Sequence, residues 1–152
     1  MNMKLAEALN LRADLQKRIA QIKERLSNNV KVQEGDEPAE SPEDLFAELD
    51  SALKDLEDLV FRINRTNLNT VAGGKSLTEL IAAKDILSLR ISILREVLEN
   101  ANVRSDRFSR SEIRFVRTVD VAALQKQIDS LSKQLRELDV TLQQANWNTD
   151  LS

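Results

Sequence analysis

The stretch that decides the fold is residues 120–142, DVAALQKQIDSLSKQLRELDVTL. Val121, Leu124, Ile128, Leu131, Leu135, Leu138 and Leu142 recur at alternating steps of three and four, and every position of that seam is apolar. At 3.6 residues per turn such steps keep side chains on one side of a helix, whereas a half-buried strand would alternate at every second residue. Asp120, just ahead of the first seam residue, suits an N-cap because its carboxylate can accept from the unpaired N–H groups of the first turn. The spacing predicts a coiled-coil-like helix over 120–146.

Three earlier segments share the period. Leu5, Ala8, Leu15, Ile19, Ile22 and Leu26 form a stripe interrupted by Arg12, which predicts a helix over 3–28. The next opens with Ser41-Pro42-Glu43-Asp44: a capping serine, a proline at the first helical position and two acids at the positive end of the helix dipole. Ser41 with Asp44 is a short capping box. Phe46, Leu49, Leu53, Leu56, Val60 and Ile63 then form a stripe over 42–68, widened by Leu45, Ala52 and Leu59. A stripe that wide is expected to touch two neighbouring helices. After Gly73-Gly74, read as a helix–helix turn with Ser76 as the following cap, comes Leu77, Leu80/Ile81, Leu87, Ile91, Leu94, Leu98 and Ala101. Lys84 sits on that stripe where an apolar residue is expected. This segment predicts a helix over 76–102.

Two short segments, 29–33 and 113–119, alternate apolar and polar residues and carry β-branched side chains, so they are expected to pair as a two-stranded ribbon. The expected class is therefore all-α: an antiparallel bundle of four long, coiled-coil-like helices in a single domain over 1–152, with that small ribbon at one end.

Composition agrees and excludes much chemistry. The chain has 152 residues, three Gly, two Pro, one Trp, and no His, Cys or Tyr. Without His or Cys there is no Ser-His-Asp or Cys-His nucleophile system, no zinc finger and no disulfide. No catalytic residue, metal ligand or cofactor-binding residue is nominated, and no cofactor is expected. The residues Met1–Glu7 carry early charges, and no stretch approaches the ~18 uncharged apolar residues of a spanning helix. The expectation is a cytoplasmic protein without membrane contact. Gly73-Gly74-Lys75-Ser76 looks like the end of a phosphate-binding loop, but Asn69 stands where its first glycine belongs.

Net charge is −3, and it is segregated. Residues 34–50 hold eight acids and no base, while 104–117 hold five arginines against two acids. Arg104, Arg107, Arg110, Arg114 and Arg117 form a candidate basic contact segment. Its favoured reading is pairing with the acidic block, within the chain or across a subunit interface. Nucleic acid is the less favoured reading, since only Phe108 and Phe115 are interleaved to stack on bases. A second candidate is a polar or anion site of Asn64, Arg65, Asn67, Lys84 and Arg90, in which amides and guanidiniums suit phosphate or carboxylate. The alternative for that set is a hydrogen-bonded polar layer that fixes helix register. Trp147 is expected to cover a bundle end or an oligomer contact.

Five stretches carry a resemblance: Met3–Leu9 (MKLAEAL), Asn28–Pro38 (NNVKVQEGDEP), Ile63–Asn67 (INRTN), Arg107–Phe115 (RFSRSEIRF) and Val119–Lys126 (VDVAALQK). Together they resemble an uncharacterised bacterial family of small helical proteins, some of whose members are labelled septicolysin. The chain departs from that pattern at Gly73-Gly74, where an acidic residue and a single glycine are expected. The resemblance implies an all-α fold, and the label implies a secreted pore-former. The residues favour a non-enzymatic, self-associating structural or adaptor protein, most simply a homo-oligomer, with protein partners open. Binding of nucleic acid or a small phosphorylated ligand is the second reading, and a membrane-damaging toxin is the third.

Overall fold

A computed structural model describes residues 2–102 and 113–152. Four helices account for most of them: α1 (Leu5–Asn29), α2 (Pro42–Asn69), α3 (Leu77–Asn102) and α4 (Val121–Asn148). Each boundary falls within two residues of the one that the apolar periodicity predicts. The chain groups into two compact units, Met1–Leu77 with Gln143–Ser152, and Thr78–Leu142.

In the first unit α1 and α2 run antiparallel. Ile22 and Leu26 near the end of α1 pack on Leu45 and Ala52 near the start of α2, with Ile19 and Leu49 alongside. The turn between the helices is organised by Asn29, which is buried. Its amide donates to the Arg25 carbonyl at 2.7 Å and its oxygen accepts from the Glu40 N–H at 3.0 Å. Ser41 caps α2 as expected, accepting from the Asp44 N–H. The buried line of α2 is Leu45, Ala52, Leu59, Ile63 and Thr66, the first three and Thr66 at strict seven-residue spacing. The sequence stripe was centred one residue off: Phe46 and Leu53 face solvent, at 51% and 45% exposure. A wide apolar helix offers two possible seams, and packing on α1 selects the one that carries the small Ala52 and lets the two backbones approach.

At the other end of this unit, Thr149–Ser152 lies along Met3–Leu5. The Leu5 N–H donates to the Thr149 carbonyl and the Leu151 N–H to the Met3 carbonyl, both at 2.8 Å. Lys4 and Asp150 form the bridge between them, and Leu151 is buried.

The two-stranded ribbon is present but in another place. Val71–Ala72 (β1) pairs with Lys75–Ser76 (β2), Val71 opposite Ser76 and Ala72 opposite Lys75. Residues 30–33 and 113–119 form no strand. The physical reason is loop length. Gly73 and Gly74, at φ +61° and +84°, supply the two left-handed residues of a tight hairpin turn, so this ribbon closes locally. Pairing 29–33 with 113–119 would require closing a far longer loop, with a correspondingly larger entropy cost. The Leu77 N–H bonds the Thr70 carbonyl at 2.9 Å across the hairpin base, and α3 starts there.

In the second unit α3 and α4 are also antiparallel. Lys84 near the start of α3 pairs with Asp139 near the end of α4. At the opposite end the Arg117 guanidinium donates to the Ala101 carbonyl at 2.9 Å and to Asn102 at 3.2 Å. Asp120 caps α4, accepting from the Ala123 N–H at 3.1 Å. All seven predicted seam residues of α4 are buried or half-buried, with Ile128 and Leu142 the deepest. On α3, Leu77, Leu80, Leu87, Ile91, Leu94 and Leu98 are likewise covered, whereas Ile81 is turned outward.

Candidate functional site

Three of the polar residues that the sequence singles out, Arg65, Lys84 and Arg117, are occupied by structural partners. In the first unit Arg65 stacks its guanidinium over the Phe61 ring, 5.2 Å from the centroid, and donates to the Ser152 hydroxyl at 3.2 Å. Arg62 donates to the Ser152 carbonyl at 3.3 Å. Asn64 is exposed and Asn67 half-buried. The organising residue of this end is Thr66, only 2% exposed. Its hydroxyl donates to the Arg62 carbonyl at 2.8 Å and accepts from the Ser152 N–H at 2.9 Å. Sequence reasoning places Thr66 within the polar patch of residues 64–67 but gives it no role of its own. Its signal was available in the seven-residue series of Leu45, Ala52, Leu59 and Thr66.

In the second unit Lys84 is held by the Asp139 carboxylate, and the pair is partly exposed at the edge of the α3–α4 seam. Arg90 is exposed and lines an open groove of about 540 Å³ with Ala83, Ile86, Leu87, Gln134 and Leu138. Of the arginine segment, Arg104, Arg107 and Arg110 lie outside the described residues. Arg114 is exposed, and Arg117 closes the end of α3 as described above. The acidic block finds bases on α1. Glu40 takes a bidentate contact from Arg25, and Glu48 is reached by Arg18 at 3.3 Å and by Arg25 at 3.7 Å. The hydrogen bond from Arg25 holds the Glu40 carboxyl below its usual range, with the arginine's charge adding to the effect against some desolvation. Asp150 is lowered in the same sense, first by its hydrogen bond from Lys4 and then by that ammonium's charge.

The surface features left over are apolar. On α2, Phe46, Leu53, Phe61 and Leu68 are exposed, and on α3, Ile86, Leu89, Ile93 and Val97. Ile86, Leu89 and Ile93 line a shallow groove of about 280 Å³ with Arg90 and Leu94. Trp147 is 57% exposed, so it does not cover a core. Among the described residues no cluster of carboxylates is arranged to hold a metal ion, and no helix is long and apolar enough to cross a membrane.

Such an arrangement defines a class: an all-α protein of antiparallel helix pairs that leaves heptad-spaced apolar faces open. Residues 12–151 match the model of a family of unknown function, DUF6847, and the chain belongs to that family. A solved structure described as a functionally unknown conserved protein from Corynebacterium diphtheriae is similar at 38% identity and a TM-score of 0.91, covering all of both chains. A comparison with curated proteins finds no match. Neither the family description nor that of the solved structure carries the septicolysin label.

Proposed function

We propose that this protein is a non-enzymatic helical module of the cytoplasm that associates with itself and serves as a structural or adaptor element. The observation that carries this reading is the set of large apolar side chains standing open at heptad spacing. Ile86 is 65% exposed, Phe61 60%, Leu89 54%, Phe46 and Ile93 51% each. Apolar side chains scattered singly over a surface need no explanation, but contiguous stripes of them mark interaction faces. A second support is the use made of the polar residues. Lys84, Arg65 and Arg117 are tied to Asp139, Ser152 and Ala101 respectively, which fixes helix ends and register.

Sedimentation velocity from about 1 to 200 μM, a range that spans the micromolar affinities of modest interfaces, tests the proposal. The expected result is a weight-average mass rising from one chain towards two or more. A mass fixed at one chain over the whole range overturns it.

A further inference from the structure

From the outer face of α3 we infer that the partner is a second copy of the same chain, docked α3 to α3 in parallel over Ala82–Ile93. This inference rests on the self-association reading and specifies its surface.

The face is a seam in its own right. Ala82, Ile86, Leu89 and Ile93 follow steps of four, three and four, on the side of α3 away from the buried Leu80 and Ile91. In heptad terms Ile86 and Ile93 take the a position and Ala82 and Leu89 the d position. Among parallel coiled coils, β-branched residues at a with leucine at d favour two strands over three or four. Glu79 and Glu96 fall on the same line at either end, so the uncharged seam runs from Ala82 to Ile93. The open face of α2 lacks this property, because Asp50 and Glu57 interrupt Phe46, Leu53 and Phe61.

Charge selects the orientation. Asp85 takes the g position and Arg90 the following e position, and among the described residues neither has a charged partner. In a parallel pair each g residue faces the e residue five positions later on the other helix. Asp85 then meets Arg90 of the second copy, twice by symmetry. Laid antiparallel, with Ala82 opposite Ile93 and Ile86 opposite Leu89, the seam puts the two Arg90 guanidiniums along one flank and the two Asp85 carboxylates along the other. Like charges so placed destabilise the pair.

The experiment uses the intact chain and exposed positions, where substitution leaves the packed seams untouched. Far-ultraviolet circular dichroism and melting of each variant confirm that it folds. Ile93→Glu is expected to weaken self-association at least tenfold in sedimentation velocity. Arg90→Asp sets acid against Asp85 and is expected to weaken it about threefold or more, with Asp85→Arg/Arg90→Asp returning it to within about twofold of the parent. The chain has no cysteine, so Ala82→Cys is a unique probe. At a d position it meets its own copy within disulfide reach and cross-links under mild oxidation.

A parent protein that associates, with Ile93→Glu unaffected and Ala82→Cys not cross-linking, overturns the α3 seam while leaving self-association in place. Cross-linking of Ala82→Cys to Ile93→Cys in a mixture, without either homodimer, overturns the parallel orientation. A parent that stays monomeric overturns both this inference and the reading beneath it.

Discussion

Thr66 shows how one hydroxyl can decide the end of a helix pair. It is nearly solvent-free and accepts the N–H of a residue 86 positions away while donating to its own helix at Arg62. Thr66→Val keeps the shape and removes both bonds, leaving the Ser152 N–H without its acceptor. A loss of about 1–3 kcal/mol is expected, read as a lower urea midpoint at unchanged m-value. Glu40 and Asp150 give a second expectation at this level. Both carboxyls titrate below their ordinary values of 4.5 and 3.8 because Arg25 and Lys4 hydrogen-bond their ionised forms. The folded state therefore binds fewer protons than the unfolded chain in this window. Their contribution is complete above those ordinary values and is lost as the pH falls through the lower, folded ones. Melting temperature should hold from pH 7 to about 5 and decline below it. Glu40→Gln should start lower at pH 7 and lose less on acidification.

Helices and turns obey the same local rules with different legibility. The α4 seam was readable in full, since all seven positions are apolar and each is buried or half-buried. Ile128→Ala should cost about 2–5 kcal/mol, because 2% exposure leaves a cavity behind, whereas Val140→Ala, at 55% exposure, should stay within about 0.5 kcal/mol. The α2 seam was readable only in part. Two adjacent apolar lines competed there, and which one packs depends on the small Ala52 opposite α1, a fact about the neighbour rather than the helix. Strand chemistry misled for a related reason: 113–119 has the right alternation but finds no partner strand, while the two-residue Gly73-Gly74 turn makes a ribbon from Val71–Ser76 with little intrinsic strand pattern. Positive φ at both glycines sets the next expectation. Gly74→Ala should destabilise by about 1–2 kcal/mol, and Gly73→Asn, which suits this turn type, by far less. Of the candidate site, the anomaly of Lys84 was legible as a charge on an apolar stripe. Its partner Asp139, 55 residues on, was not, because several acids in the last segment were equally eligible by sequence.

Across the whole chain, charge and topology account for what composition left open. The acidic run that the sequence expects to pair with the arginine segment is served in part by α1, where Arg18 and Arg25 meet Glu48 and Glu40. Because these pairs are exposed, salt should weaken them without unfolding the helices around them. The clasp between Met3–Leu5 and Thr149–Ser152 reaches across almost the full sequence, and its apolar anchor is Leu151, 6% exposed. Leu151→Ala should cost about 2–4 kcal/mol by chemical denaturation, and hydrogen exchange should then quicken at the Leu5 amide, whose bond to Thr149 it supports.

That clasp also imposes an order of events during synthesis. α1 and α2 leave the ribosome together and can pair at once through Ile22, Leu26, Leu45 and Ala52. Thr66 and Leu5, however, wait for partners at residues 149–152, made well after both helices. At ~5–20 residues per second, the interval from residue 77 to residue 152 is about 4–15 s. Through that interval the first helical hairpin is expected to stand with one end unlatched, until Thr149–Ser152 closes it.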